Sequence, residues 1–211
     1  MKKFICLFLI SFFLIIGFSF GAVIKTHNSS ENSVNEDINL NIQINDSEVA
    51  KHIFNAERTN SINDKIKEYA LAVKVLSSKK NKTNNDVIAI ASILVLMGDY
   101  SKNLADFKNS LNSYLFAYNT LKDYKLHKNS PLSVYCLSNI YYMADAFNND
   151  EMLKFSTEEL ETTQLQIAKK IPDIYEQISA YYERIGNKRK AEYYKKFYYK
   201  EQGQVKLKKN N

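Results

Sequence analysis

Two stretches of this 211-residue chain share one pattern. Met97-Gly98-Asp99-Tyr100-Ser101-Lys102-Asn103-Leu104-Ala105-Asp106-Phe107 follows one apolar helical run and opens another. So does Ile185-Gly186-Asn187-Lys188-Arg189-Lys190-Ala191-Glu192-Tyr193-Tyr194. A Gly followed by Asp or Asn at such a place reads as the turn of a helix-turn-helix unit. A recurring unit of this kind cannot bury its apolar face alone, so copies stack. The expected fold is all-α: antiparallel helix pairs stacked as a short α-solenoid. Only five Gly and two Pro occur in the chain, which favours helix over sheet or collagen-like structure.

The apolar spacing supplies the pairs. From Ser47 the period is helical. Val49, Ile53 and Phe54 mark a first helix, and Ser61 opens a second along Ile62, Ile66, Tyr69, Val73 and Leu76. Val87 to Gly98 is a third. The fourth repeats Leu104, Phe107, Leu111, Tyr114, Leu115, Tyr118 and Leu121 at i, i+3/i+4 spacing. Ser130-Pro131 starts the fifth, a hydroxyl cap followed by a residue whose missing N–H is harmless in the first turn. After Asn148-Asn149-Asp150 a sixth helix carries Leu153, Leu160 and Ile167. Pro172 opens the seventh and Asn187 the eighth.

These pairs resemble the tetratricopeptide repeat (TPR). In that family a small residue in the first helix, a Gly-Asp turn and a small residue early in the second helix recur, with aromatics between. Tyr175 to Tyr199 matches best: Ser179 small, Tyr181-Tyr182 aromatic, Gly186-Asn187 the turn, Ala191 small. Val87 to Leu111 matches next, with Ala91, Gly98-Asp99-Tyr100 and Phe107. Leu137 to Thr157 is a degenerate copy around Asp145-Ala146-Phe147. Asn103 and Asp150 stand where the family places Ala. The intervals Gly98 to Asp145 and Asp145 to Gly186 are 47 and 41 residues, against a family unit of about 34. The resemblance covers about Ser47 to Gln202, within a helical domain placed at 47–203, and implies a groove lined by the first helices of the pairs. Asn139, Tyr142, Tyr182 and Arg184 are the expected partner-binding residues, chosen by position.

Residues 1–25 are set apart from the fold. Lys2 and Lys3 precede an apolar run from Phe4 to Ile24, and Lys25 ends it. The run suits a spanning helix of about 20 residues. It equally suits a signal peptide cleaved near Ser19-Phe20-Gly21. Either alternative places the rest of the chain outside the cytoplasm: membrane-anchored through 4–24, or periplasmic or secreted after cleavage. Residues 26–46 are rich in Asn, Ser, Glu and Asp and read as a disordered stalk, with strand-like alternation at Ile38, Leu40, Ile42 and Ile44. Cys136 is the sole cysteine beyond the leader, which excludes an internal disulfide framework and suggests a small buried side chain.

No catalytic set emerges. His27, His52 and His127 have no zinc-type spacing, and no Gly-rich phosphate loop occurs. Glu158, Glu159 and Glu161 read as a solvated face. No enzyme activity, cofactor or metal is expected. The charge is uneven: Glu183–Asn211 hold ten Lys/Arg against three Glu, a net of +7, and the remainder is −1. Lys188, Arg189, Lys190, Lys195, Lys196 and Lys200 interleave with Tyr193, Tyr194, Phe197, Tyr198 and Tyr199, and 204–211 read as a basic disordered tail. The favoured reading of the interleaved stretch is a capping helix with a polar outer face. Contact with lipid or another anionic polymer is the alternative. Export and the aromatics' role in the core argue against nucleic acid. The expected function is therefore an exported or membrane-anchored protein–protein interaction module, a scaffold or adaptor of the cell envelope. The alternative is a membrane-surface or anionic-polymer-binding adaptor acting through the basic helix.

Overall fold

The computed structural model describes residues 46–128, 130–166 and 172–209. These form eight helices and, among the described residues, no strand: α1 (Ser47–Arg58), α2 (Ile62–Ser78), α3 (Asn84–Asn103), α4 (Phe107–Asp123), α5 (Pro131–Ala146), α6 (Asp150–Gln166), α7 (Pro172–Arg184) and α8 (Lys188–Lys209). Each packs on its neighbours in sequence. The closest packing is within α1–α2, α3–α4, α5–α6 and α7–α8, and the first helices α3, α5 and α7 also touch one another. The result is a stack of antiparallel pairs, a solenoid-like all-α arrangement. The segment 1–25 and the alternating residues 38–44 lie outside the described residues. Asp46, assigned to the stalk by composition, instead caps α1 by accepting bonds from the Glu48 and Val49 N–H groups. Among the described residues, no helix is long and apolar enough to cross a membrane.

Caps set the boundaries, two of them at the expected Ser61 and Ser130. Ser61 and Ser130 accept bonds from Asp64 N–H and Ser133 N–H, at 3.3 Å each. Thr83 and Asp86 form a reciprocal capping box. Lys79 then ties that box (2.7 Å to Asp86) to the start of α1 (3.4 Å to Asp46).

The structure corrects the first turn. Helix α3 runs straight through Gly98-Asp99 and ends at Asn103. The chain reverses at Leu104-Ala105-Asp106, where Ala105 has φ 57°. Asn148 (φ 52°) and Gly186 (φ 76°) hold the same place after α5 and α7. The hydrogen bonding is identical at all three. The next N–H reaches back five residues: Asp106 to the Ser101 carbonyl at 2.9 Å, Asn149 to Ala144 at 2.8 Å, Asn187 to Tyr182 at 2.8 Å. This is the Schellman arrangement that closes a helix on a left-handed residue. The same Asp106, Asn149 and Asn187 side chains then cap the following helix, accepting from Asn109, Met152 and Lys190 N–H. Measured between Ala105, Asn148 and Gly186, the intervals are 43 and 38 residues.

Gly98 is thus a packing residue. It lies seven positions before its turn residue, as Ser179 does before Gly186. Ser110 and Ala191 lie five positions after. The Ser110 hydroxyl donates to the Gly98 carbonyl at 2.8 Å, and the Ser179 hydroxyl to the Ala191 carbonyl at 2.9 Å. Small residues let the two helices of a pair meet at those points. The α5–α6 pair has Tyr141 and Leu153 there, both buried, and no such bond. At the other end of the chain, α8 continues to Lys209, past the boundary at 203 where composition placed the start of a tail. Gln204, Val205, Lys206 and Leu207 have no Pro among them to stop it.

Candidate functional site

The first helices α3, α5 and α7 form one layer of the stack, the place where the resemblance puts a groove. α5 is the middle of it and is buried on every side: each residue from Leu132 to Tyr141 is in the core. A helix apolar all round belongs in an interior. Polar bonds stitch its neighbours to it. Asp99 of α3 accepts from Tyr114 of α4 at 2.5 Å and from Tyr135 of α5 at 2.8 Å. Lys102 of α3 donates to Asn139 of α5 at 3.3 Å. Gln177 of α7 donates to Ser138 of α5 at 2.9 Å. Loss of solvation pushes the Asp99 carboxyl above the usual range, and the two tyrosine bonds offset this only in part.

The four expected partner residues divide in two. Asn139 is 8 % exposed and is spent on Lys102 and the Tyr135 carbonyl. Tyr182 is buried, stacked on Tyr194 with its hydroxyl bonded to Lys190. Neither side chain is presented to a partner. Tyr142 is 44 % exposed beside Tyr141. Arg184 is also at the surface, where it bridges Asp145 of α5 and Asp150 of α6, at 2.8 Å each. Lys102, Tyr142, Glu176 and Arg184 are exposed on this layer, and Tyr142 lies close to Asp173, Glu176 and Gln177 of α7. Lys102 and Gln177 were missed from the sequence because they carry no motif; each lies among residues of ordinary helical surface type.

The six basic residues of α8 are all exposed, but they differ in what they do. Lys190 is engaged. Its ammonium lies 4.4 Å from the Tyr182 ring centroid, 2.7 Å from the Tyr182 hydroxyl and 3.1 Å from Glu161. The bond to Tyr182 holds its pKa above the ordinary value against the opposing effect of burial, and Glu161 adds to it. Lys195 pairs with Glu183 at 3.4 Å. Lys188, Arg189, Lys196 and Lys200 make no ion pair among the described residues and face outward, with Tyr193 and Tyr199 exposed between them.

The acidic run of α6 is not simply solvated. Glu159 accepts from the Tyr118 hydroxyl and from Lys122 at 2.5 Å, and Glu161 holds Lys190. Burial raises the Glu159 carboxyl, but the bonds to Lys122 and Tyr118 outweigh it and leave the pKa low. Cys136 is wholly buried, and burial pushes its thiol well above the usual range. Among the described residues no three His, Cys, Asp or Glu side chains converge as a metal would require.

No protein-family model matches this chain, and no curated protein sequence does. Its fold is similar to the crystal structure of BtubC (BKLC) from P. vanneervenii, with a TM-score of 0.55 at 16 % sequence identity. The match covers 75 % of this chain and 64 % of that one, so the chain spans less than two thirds of that protein's length. At this identity the likeness is one of fold alone.

Proposed function

We propose that this chain is a tetratricopeptide-like protein–protein interaction module, exported or held at a membrane by its N-terminal apolar segment, and acting outside the cytoplasm as a scaffold or adaptor. The observation that carries the reading is the recurring turn. Three successive pairs end their first helix on a left-handed residue and cap the second with the next side chain. Intervals of 43 and 38 residues are nearer the family's unit of about 34 than the intervals counted from Gly98. The partner would lie along the surface of α3, α5 and α7, with Tyr142 and Arg184 as its contacts. Two exposed hydroxyl- or guanidinium-bearing anchors of this type are the residues that dominate protein interfaces.

The test is site-specific photocrosslinking from position 142 in the full-length protein in intact cells, followed by capture at low and high salt. A discrete protein adduct that survives high salt and is lost in Arg184→Ala supports the groove. Adducts scattered over abundant proteins and indifferent to Arg184 would sink it.

A second reading rests on α8. Lys188, Arg189, Lys196 and Lys200 form an outward basic face with two exposed tyrosines, suited to an anionic surface. Binding through such a face falls steeply with salt. Retention on anionic vesicles or polyanion that is unchanged by salt would refute it.

A further inference from the structure

The residue immediately before each left-handed residue that closes a first helix is large, apolar and exposed; Tyr124, before the left-handed Lys125 that closes α4 at the other end of the stack, is exposed as well. Leu104, Phe147 and Ile185 hold this position in three successive pairs, and Phe107 stands beside the first; the four are 42–54 % exposed. Helices of a pair are antiparallel, so all these turns lie at one end of the stack. The turns are also neighbours. The Phe107 and Phe147 rings meet edge to face at 6.1 Å, joining the second pair to the third. Arg184, next to Ile185, reaches Asp145 and Asp150 on either side of Phe147, joining the third pair to the fourth. A row of exposed apolar tips therefore runs across one end of the stack, with Phe107 and Phe147 in contact and the Arg184 ion pairs standing between Phe147 and Ile185.

Turn stability does not call for this. A helix end needs its carbonyls satisfied, and the backbone bonds already do that. Large apolar side chains exposed at the same place in three successive pairs suit an interaction surface. The ridge consists of protruding tips, and nothing among the described residues makes it a groove into which a peptide would fit. A bilayer interface accepts such tips without shape complementarity.

The charges at this end nearly cancel. Arg184 pairs with both Asp145 and Asp150, Lys195 pairs with Glu183, and Asp106 bonds the neutral Asn109 and keeps its charge. Lys108, Lys188 and Arg189 face outward without an ion pair, against Glu151 and Glu192. The chain outside the described structure supplies the remaining link. Forty-five residues precede Asp46, and they contain the apolar run Phe4–Ile24. Asp46 lies at the end of the stack opposite the ridge. The 21 residues between Ile24 and Asp46 reach about 70 Å when extended, whereas α3, with its 20 residues, is about 30 Å long.

We propose that the ridge of Leu104, Phe107, Phe147 and Ile185 seats on the surface of the membrane to which the N-terminal segment tethers the domain, so that the helical stack lies against the bilayer by its turn end. This rests on the membrane-anchored form of the function proposed above.

The chain contains no tryptophan, so one indole is a clean probe. Full-length Phe147→Trp is reconstituted with vesicles of mixed zwitterionic and anionic lipid, and floated. Phe116→Trp, on the exposed face of α4 well along the helix, is the control. The expected result is a blue-shifted F147W emission that loses most of its intensity when the lipids carry bromine in their acyl chains, while F116W is unaffected. Leu104→Asp and Ile185→Asp together should return F147W to the emission it shows without lipid. Protein that floats while F147W and F116W are equally unquenched overturns the ridge and leaves the anchor standing. Protein that does not float overturns both. An F147W indole shielded only by a second protein would also overturn the proposal, giving the ridge to a protein partner.

Discussion

Gly98→Ala is the substitution that separates a packing glycine from a turn glycine. A Cβ at position 98 would sit 2.9, 3.0 and 3.1 Å from Cε1, Cζ and Cδ1 of Tyr114. Carbon atoms prefer about 3.5–4.0 Å, so the ring must retreat by roughly half an ångström. It has little freedom to do so. Tyr114 is fully buried, its hydroxyl is bonded to Asp99, and its ring edge meets Tyr135. Overpacking of this sort costs about 1–3 kcal/mol. Alanine also brings a helix-propensity gain of about 1 kcal/mol over glycine. With the ring locked on two sides the larger cost applies, and the net loss should be about 1–2 kcal/mol. At about 2–4 °C per kcal/mol for a domain of this size, the midpoint falls by roughly 2–8 °C. Circular dichroism melts of full-length protein in mild detergent read this directly. The companion measurement is Gly98→Ala in a Tyr114→Leu background, where the ring is gone and the propensity gain should appear as a rise. A rise in the wild-type background would show that the close approach at Gly98 does not exist.

Gly186 tests the other role. Its φ is 76° and an added Cβ would meet nothing within 4 Å, so Gly186→Ala should cost about 1 kcal/mol through the left-handed backbone alone. Gly186→Asn should cost less, since Asn148 already occupies that place in the preceding pair; equal losses by urea titration would refute the equivalence of the turns. Asp106→Ala removes the cap of α4 and should cost about 1 kcal/mol, as should Asn149→Ala and Asn187→Ala. A cost at Asn187 with none at Asp106 would put the turn back at Gly98. Asp99 has a pKa raised in the fold, so its stabilising contribution is fully present below the unfolded value of about 3.9 and is lost as pH rises through the folded value. Asp99→Asn should therefore gain on the wild type as pH rises through that window, and parallel pH profiles would contradict the desolvated carboxyl. Cys136 should resist alkylation in native protein and react only on unfolding, as read by mass spectrometry of its peptide; labelling at the native rate of an exposed thiol would contradict its burial.

What the sequence made legible is what local chemistry specifies. Ser61 and Ser130-Pro131 act within three residues of themselves, and the helices begin where they stand, whereas the Thr83-Asp86 capping box at the start of α3 was not read from the sequence. Gly186-Asn187 is likewise a local turn signal. Gly98-Asp99 has the same letters but a different cause, because its glycine answers to Tyr114, sixteen residues away on another helix. Nothing in composition distinguishes the two. The real turn was harder still to see, since Ala105 takes a left-handed conformation with no residue-type signal, and only Asp106 ahead of Asn109 hints at a cap. Burial of Asn139 and Tyr182 was hidden for a related reason. A groove helix ought to leave one face polar, and α5 has none. The near-continuous run Leu132–Ile140, which includes only Ser133, Ser138 and Asn139 as polar residues, is the one sequence signal that its groove side is closed. That run shifts the accessible surface outward, to Tyr142 and Arg184 on one side and to the apolar turn tips at the end of the stack. Ile185 shows the consequence. Its spacing with Ile178 and Tyr181 places it on the buried face of α7, but the helix stops at Arg184, and ending one residue earlier turns a core residue into part of an exposed ridge.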